Sequence, residues 1–510
     1  MTTPGPADAR ALAPSAGTLS FGTARGRWVI AATVLGSGIA SLDATVVGIA
    51  LPTISKDFHS GVGTLQWVVT GYALTLAAFL LLGGSLGDRL GRKKVFSVGV
   101  IWFALASVCC GVAPNAGLLI GARVLQGVGG ALLTPASLAI LQASFRPDDR
   151  SRAIGAWSGL SGVAAAAGPL IGGYLIIAGS WRWVFFINIP VALGVLAVSA
   201  RHVPETRDPT STGRADGAGA ALAVLFLSGL TYGLIEGPSH GWTSPLVLGG
   251  LVLAALTGPA FLVVEHRRAA PMLPLDIFRT RQFSGANAVT FVVYGALGGA
   301  LFLFPIELQV VTHHTPVTAG LTLLPVTAIM LAFSSRSGQL AARIGPRLQM
   351  SVGPIVVGVG LTLLARATSG GYATHVIPAV LTFGVGLAIT VAPLTSTAMS
   401  AAPAEHSGVA SAVNNVVARS AGLLAVAILP LLAGITGSGA LAAAHFAAGF
   451  RTAMLIAGGT CAAGGILAAL TIRNPVAAEP LLNAHLRRYH CAVDGAPLQP
   501  AEAARAAARL

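Results

Sequence analysis

The sequence predicts an all-α membrane protein with fourteen transmembrane helices. Three observations predict it. Hydrophobic residues make up 54% of the 510-residue chain and charged residues only 9%, against about 25% charged in soluble domains. Mean hydropathy is +0.78. So few charges cannot clothe a water-facing surface, so the bilayer is the main solvent. Apolar runs long enough to cross the hydrocarbon core, about 20 residues each, recur fourteen times. Basic residues gather in alternate connections between those runs.

The runs cover 28–51, 65–86, 95–113, 116–141, 153–177, 184–200, 217–236, 244–265, 285–310, 317–335, 350–367, 373–399, 408–435 and 450–472. Connections are short, which leaves no room for a soluble domain. With the N-terminus inside, 25 of the 31 basic residues fall in inner segments. Outer segments hold Lys56, Arg182, Arg366 and Arg451, while Arg123 and Arg419 fall within spans. This bias puts both termini in the cytoplasm. It also supports the even number of spans, because one missed span would invert half the connections.

The chain divides into a cytoplasmic tail (1–27), a first six-span bundle (28–200), a linker with two extra spans (201–284), a second bundle (285–472) and a second tail (473–510). The tail string Ala501-Glu-Ala-Ala-Arg505-Ala-Ala-Ala-Arg509 suits a short helix on the inner leaflet or in solvent, or no fixed structure. An internal repeat joins the two bundles. Gly84-Ser-Leu86-Gly-Asp88-Arg89-Leu-Gly91-Arg92 after the second span is echoed by Gly338-Gln-Leu340-Ala-Ala342-Arg343-Ile-Gly345 after the tenth, at an offset of 254. Gly127-Val-Gly129-Gly-Ala131 is echoed by Gly384-Val-Gly386-Leu-Ala388 at an offset of 257. Related halves flanking a midplane site are a common transporter plan.

Several classes are excluded. The net charge of +14 is not clustered on a soluble module and aromatic content is 6%, which argues against nucleic acid. Cys109, Cys110, Cys461 and Cys491 have neither metal-ligand spacing nor a disulfide pattern. The first residues lack the short apolar core and cleavage site of a signal peptide, so the first run reads as an uncleaved helix. No nucleophile–base grouping, metal cluster or phosphate loop supports an enzyme. No cofactor is expected.

Ionisable groups inside spans are costly and are functional candidates by default. Asp43 lies in the first span, about 12 Å below the end of its apolar run at 1.5 Å per residue. Arg123 enters the fourth span to roughly 10 Å by the same rise. Tyr72 in the second span lies at similar depth. Low dielectric disfavours a charged carboxylate and a neighbouring cation favours it, so alternating the two environments couples protonation to conformation. A static Asp43–Arg123 pair that only holds helices together is the competing reading.

Asp88, Arg89 and Arg92 lie in the tight basic loop after the second span. Asp88 suits a helix cap or an arginine pair, and either contact suits a cytoplasmic latch; a plain basic anchor is the alternative. Ala164-Ala-Ala-Ala-Gly168-Pro169-Leu-Ile-Gly172-Gly173 combines small residues for close packing with a kinking proline. It suits either a hinge at Gly168 and Pro169 or ordinary glycine-rich packing. Glu307 near the outer end of the ninth span reads equally as a second proton or cation site and as an interfacial group. Glu236, which ends the seventh, reads first as interfacial. Arg419, within the thirteenth, suits an anionic group or an acid across the cavity. Trp67, Tyr72, Gln126, Glu236, Phe304, Asn415 and Arg419 are the candidate substrate-contacting residues. His313 and His314 receive no role.

Together these strings resemble the major facilitator superfamily, specifically its fourteen-span drug:proton antiporter branch. Leu42-Asp43-Ala-Thr45-Val-Val-Gly48-Ile-Ala50-Leu51-Pro52 is similar to that branch's first-helix signature, with Gly48 where the family usually has Asn. Gly84 to Lys94 resembles the superfamily loop. Leu119-Ile-Gly-Ala-Arg123-Val-Leu-Gln126-Gly127-Val-Gly129 resembles the proton-linked fourth-helix motif, and Gly168-Pro169-Leu-Ile-Gly172-Gly173 the antiporter motif. Trp181-Arg182-Trp183-Val-Phe-Phe-Ile-Asn188-Ile-Pro190 and Asn415 through Gly422, with Ser420 at a commonly Gln position, resemble further patterns of the branch.

The resemblance implies the major facilitator fold, two six-helix bundles plus two inserted helices that rock in alternating access. It gives Asp43 and Arg123 the proton-coupling roles, Asp88 and Arg92 the inner latch, and Gly168 with Pro169 the hinge. It implies a monomer in the cell membrane, driven by the proton gradient, that exports hydrophobic or amphipathic drugs or natural products. Two other functions stand beside this one: a selective exporter of a single natural product, anionic if Arg419 draws it, and a membrane regulator that does not transport.

Overall fold

The computed structural model describes residues 19–207, 216–268, 271–367, 371–401, 407–437 and 439–474. The remainder of the N-terminal tail and the helix considered for 501–509 lie outside the described residues. Fourteen helices of membrane-crossing length and composition occur among the described residues. They are α1 Ala24–Phe58, α2 Val62–Leu90, α3 Arg92–Gly111, α4 Ala116–Ser144, α5 Pro147–Ala178, α6 Trp183–His202 and α7 Gly217–His240. They continue as α8 Pro245–Arg267, α9 Arg281–Val311, α10 Pro316–Ile344, α11 Pro346–Leu364, α12 Tyr372–Ser400, α13 Ser407–Leu432 and α14 Ala443–Thr471.

Each predicted run falls on one of these helices, but several helices outlast their apolar stretch. The largest difference is at α1, which runs through Pro52 and the polar turn Ser55-Lys56-Asp57 before closing on left-handed His59. Hydropathy reads the length of oil-compatible surface, not the length of helix. Asp43 therefore lies 15 residues from the helix end at Phe58, about 22 Å at 1.5 Å per residue, rather than the 12 Å the apolar run suggested.

Helices α1–α6 form one bundle and α9–α14 the other, with the α7–α8 hairpin packed on α2 and α13. The internal repeat reappears as matched helix crossings. A Cβ on Gly129 would stand 2.7 Å from the Phe103 backbone nitrogen, and one on Gly386 would stand 2.5 Å from that of Val357. Likewise Gly99 lies against the backbone of Leu133, and Gly353 against that of Thr390. These residue pairs obey the same offsets, 254 on α3/α11 and 257 on α4/α12. Lipid offers no hydrophobic drive between helices, so such backbone-to-backbone approach supplies the packing that holds each bundle.

The connections α2–α3, α4–α5, α6–α7 and their counterparts define a basic end; the others define the far end. The bundles meet at the far end. Gln66 of α2 donates its amide to the Val426 carbonyl of α13 at 2.8 Å, and Gln309 of α9 donates to the Ile49 carbonyl of α1 at 3.1 Å. Between α5 and α10, Gly173 lies against Pro316 and Val317, and Gly320 against Pro169. Toward the basic end the same two helices separate. No residue of 154–167 on α5 or 323–336 on α10 is buried, whereas Gly168, Pro169, Gly172 and Gly173, together with Ala319, Gly320 and Thr322, are. The structure is closed at the far end and open at the basic end.

This geometry makes Pro169 a closing contact between the bundles at the far end. A Cβ at Gly320 would meet the Pro169 carbonyl carbon at 2.6 Å and the Leu170 nitrogen at 3.1 Å, both immovable backbone. Gly320→Val is therefore expected to wedge the far end apart. Cysteine accessibility at far-end positions should rise several-fold in the variant, with its detergent elution profile unchanged. Equal accessibility in variant and parent would remove Pro169 from this role.

Candidate functional site

The first bundle holds a closed polar network in otherwise apolar surroundings. Its centre is the ion pair between Asp43 on α1 and Arg123 on α4, with side chains 0% and 1% exposed. Arg123 Nη1 donates to Asp43 Oδ2 and also to Gln126 Oε1 at 2.6 Å. Its Nε donates to the Val68 carbonyl of α2 at 3.1 Å. The other carboxylate oxygen, Oδ1, accepts from Gln126 Nε2 at 2.9 Å and from Asn188 Nδ2 at 3.1 Å. Ser107 on α3 accepts from the same two amides, at 2.7 and 3.1 Å. The Arg123 guanidinium also lies over the Tyr72 ring, 4.3 Å from its centroid, a cation–π contact.

The sequence builds this niche by spacing. Arg123 and Gln126 are three residues apart on α4, so both face α1. Asn188, in the first half of α6, is buried and donates to both Asp43 and Ser107. Small residues bring α5 against α1: a Cβ on Gly168 would stand 3.1 Å from Thr45 Cβ, and Thr45 Oγ1 donates to the Ala165 carbonyl at 3.0 Å. Each of the three side chains bonded to Asp43 donates to it. The network is complete as an ion pair.

Of the sequence-predicted residues, Asp43, Arg123, Gln126 and Tyr72 come together here. Asn188 and Ser107 complete the site but were not singled out. Asn188 belongs to a string that resembles the fourteen-span branch, yet nothing in its spacing marks it as facing the carboxylate. Ser107 left no signal, since serines are common in spans.

The remaining candidates lie elsewhere. The expected loop is two helix ends meeting at Gly91: Asp88, in the last turn of α2, pairs with Arg92, the first residue of α3, at 2.7 Å, and the Arg89 Nε is buried without a partner. The cap of α3 is Glu205, not Asp88: Glu205 accepts the Lys93 and Lys94 backbone N–H groups, each at 3.1 Å. A carboxylate at a helix N-terminus satisfies free donors and complements the dipole. Gly91, at φ +114, makes the sharp α2–α3 turn, and a side chain there would strike Glu205.

Trp67 donates its indole N–H to Glu236 at 2.7 Å, and Glu236 also pairs with His240 at 3.0 Å. This cluster docks α7 on α2 at the far end, away from Asp43. Phe304 is 2% exposed and stacks on Phe450 inside the second bundle. Asn415 is exposed on α13, one turn before Arg419. Arg419 lies mid-helix with its Nε buried and unbonded, and the Tyr72 hydroxyl is within its electrostatic reach. Glu307 sits in the π turn that ends α9, fully buried, with neither carboxyl oxygen bonded. That turn packs on α14.

Two helical bundles related by a repeat, with a buried ion pair in one of them and closure at one end, have the build of a membrane transporter. A family model described as Major Facilitator Superfamily matches residues 33–426, and the chain belongs to that superfamily, a family of transporters and not of enzymes. It is 36% identical over 417 residues to the tetracenomycin C resistance and export protein of Streptomyces glaucescens, covering 80% of this chain and 76% of that protein. It is 35% identical over 388 residues to the multidrug resistance protein Stp of Mycobacterium tuberculosis, covering 75% and 71%. The fold is similar to that of a bacterial homolog of the human lysosomal transporter Spinster, with TM-score 0.63, 17% identity, and 88% and 97% of the two chains covered.

Proposed function

We propose that the protein is a proton-coupled antiporter that exports hydrophobic or amphipathic drugs or natural products across the cell membrane by alternating access. The observation that carries this reading is the Asp43–Arg123 pair, an ionisable couple buried mid-span beside the helices that open and close. Relatives named for resistance and export support the cargo class. The basic end is the cytoplasmic side by the charge bias of the connections, so both termini are cytoplasmic and this state faces inward. The protein works as a monomer, with protons and small molecules as its partners and the proton gradient as its energy source.

In this reading the inward-open state holds Asp43 as an anion against Arg123 and accepts cargo. Rocking about the α5–α10 crossing carries the cargo outward and parts the pair, and Asp43 takes a proton from outside. Return to the inward state restores Arg123 and sends the proton to the cytoplasm. Glu307 is the second proton site. It is fully buried, with neither carboxyl oxygen bonded, in the π turn that ends α9.

The test uses everted membrane vesicles acidified by respiration and a proton-quenched dye. Adding a drug to which expression confers growth protection should restore the fluorescence as protons leave in exchange. Vesicles that take up the drug with no change in the dye signal would contradict proton coupling. Selective export of one natural product is the narrower alternative, since one relative carries a single compound's name. Growth protection against a chemically varied drug panel separates the two.

A further inference from the structure

The charges inside the spans do not balance locally. Asp43 and Arg123 cancel one another within the first bundle. Arg419 has no such partner: no hydrogen bond or ion pair holds its guanidinium among the described residues, and its Nε is shielded from solvent. The Tyr72 hydroxyl, which donates to the Ala40 carbonyl at 3.2 Å, is the titratable group within its reach. No carboxylate among the described residues faces it. An uncompensated guanidinium at the middle of a membrane-spanning helix is costly, and such groups usually mark a ligand path.

Its surroundings suit a particular ligand. Arg419 lies on α13, which packs on α2 of the opposite bundle. Asn415 is four residues earlier, so the two share one helical face, and Asn415 is exposed. Val416, between them in sequence, packs against the apolar cluster of the first bundle that contains Tyr72 and Leu76. A guanidinium fork and an amide thus lie beside an apolar wall. That combination matches a planar oxyanion on a greasy skeleton, because the fork pairs with a carboxylate in two parallel hydrogen bonds.

Alternating access sharpens the point. In the basic-end-open state Arg419 is part-buried with its Nε shielded. When the bundles close over a load, what exposure remains is lost, and the cation then lacks a partner unless the load brings one.

We propose that Arg419, with Asn415, is the recognition point for an anionic group, a carboxylate or ionised phenol, on an otherwise apolar cargo. Neutralisation of Arg419 by that group is what allows the cleft to close around it. This rests on the export reading above and narrows its cargo class.

Two xanthene dyes of similar skeleton and opposite charge test it, anionic fluorescein and cationic rhodamine 6G. Binding to the purified full-length protein in neutral detergent is read by fluorescence anisotropy. The parent should bind fluorescein about tenfold or more tightly than rhodamine 6G. Arg419→Gln should lose at least about tenfold in fluorescein affinity and gain in rhodamine affinity, removing the preference. Arg419→Lys, which keeps the charge but not the fork, should fall between, and its single elution peak guards against misfolding. Unchanged fluorescein binding in Arg419→Gln would overturn the proposal. So would equal loss for both dyes, or a parent that does not bind fluorescein. Drug-driven proton release from vesicles is read separately. If that fails while the charge-selective binding stands, the export reading alone falls. If efflux stands without charge selectivity, the anion proposal alone falls.

Discussion

Asp43→Asn is expected to abolish proton-driven efflux while leaving drug–drug exchange intact, with some loss of thermal stability because Arg123 loses its counter-charge. The asparagine keeps the shape of the side chain, and its oxygen can still accept from Arg123 or Gln126, but it cannot carry a proton through the cycle. In everted vesicles the drug-induced recovery of dye fluorescence should fall to background. Growth protection should be lost with it. Exchange of labelled for unlabelled drug across proteoliposomes needs no net proton movement and should persist. Loss of exchange and coupling together would make Asp43 a structural residue, which is the static-pair reading.

The second large effect falls on Arg123. Arg123→Gln removes the cation from Asp43, along with the bond to the Val68 carbonyl and the contact with the Tyr72 ring. Removing one partner of a buried ion pair leaves the other uncompensated and typically costs about 3–5 kcal/mol. The single variant should therefore lose both transport and thermal stability in detergent. The double variant Asp43→Asn with Arg123→Gln leaves no orphan charge and should recover most of that stability, with transport still absent. A double variant no more stable than Arg123→Gln would mean that the guanidinium holds α2 and α4 by packing, independently of Asp43.

The fold was largely legible because the bilayer imposes one simple rule, that backbone polar groups be satisfied within each segment. Apolar length then marks every span, and arginine placement orders them. The rule fails at helix ends, as at Lys56 and Asp57 beyond the first run, because those residues remain helical outside the oil. The site was legible in part for a related reason. Asp43 and Arg123 stand out because charge is rare in spans. Ser107 and Asn188 do not stand out, since a hydroxyl or amide is cheap enough to occur anywhere. The packing of α6 against α1 and α3 brings Asn188 to the carboxylate. Trp67 and Glu236 looked like lining residues because aromatics and acids suit ligands. Their pairing across α2 and α7 was invisible without knowing where the inserted hairpin docks.

The glycine positions carry the same lesson. Gly168 and Pro169 were readable as a small, kinked segment, but Gly320, which presses against Pro169 from the other bundle, had no mark beyond being a glycine in a span. Contacts between halves depend on the state of the transporter, and sequence periodicity describes each helix alone.

The account turns on Asp43 being the group that exchanges its proton for cargo. Its most direct test is proton release by the purified protein in weakly buffered detergent when a protective drug is added. The parent should release protons on binding, because cargo draws the protein from its proton-loaded outward state to the inward state in which Asp43 is ionised, and Asp43→Asn should bind the drug and release none beyond an amount assignable to Glu307 by the further change Glu307→Gln. Release of undiminished size from the Asp43→Asn/Glu307→Gln protein would contradict the account.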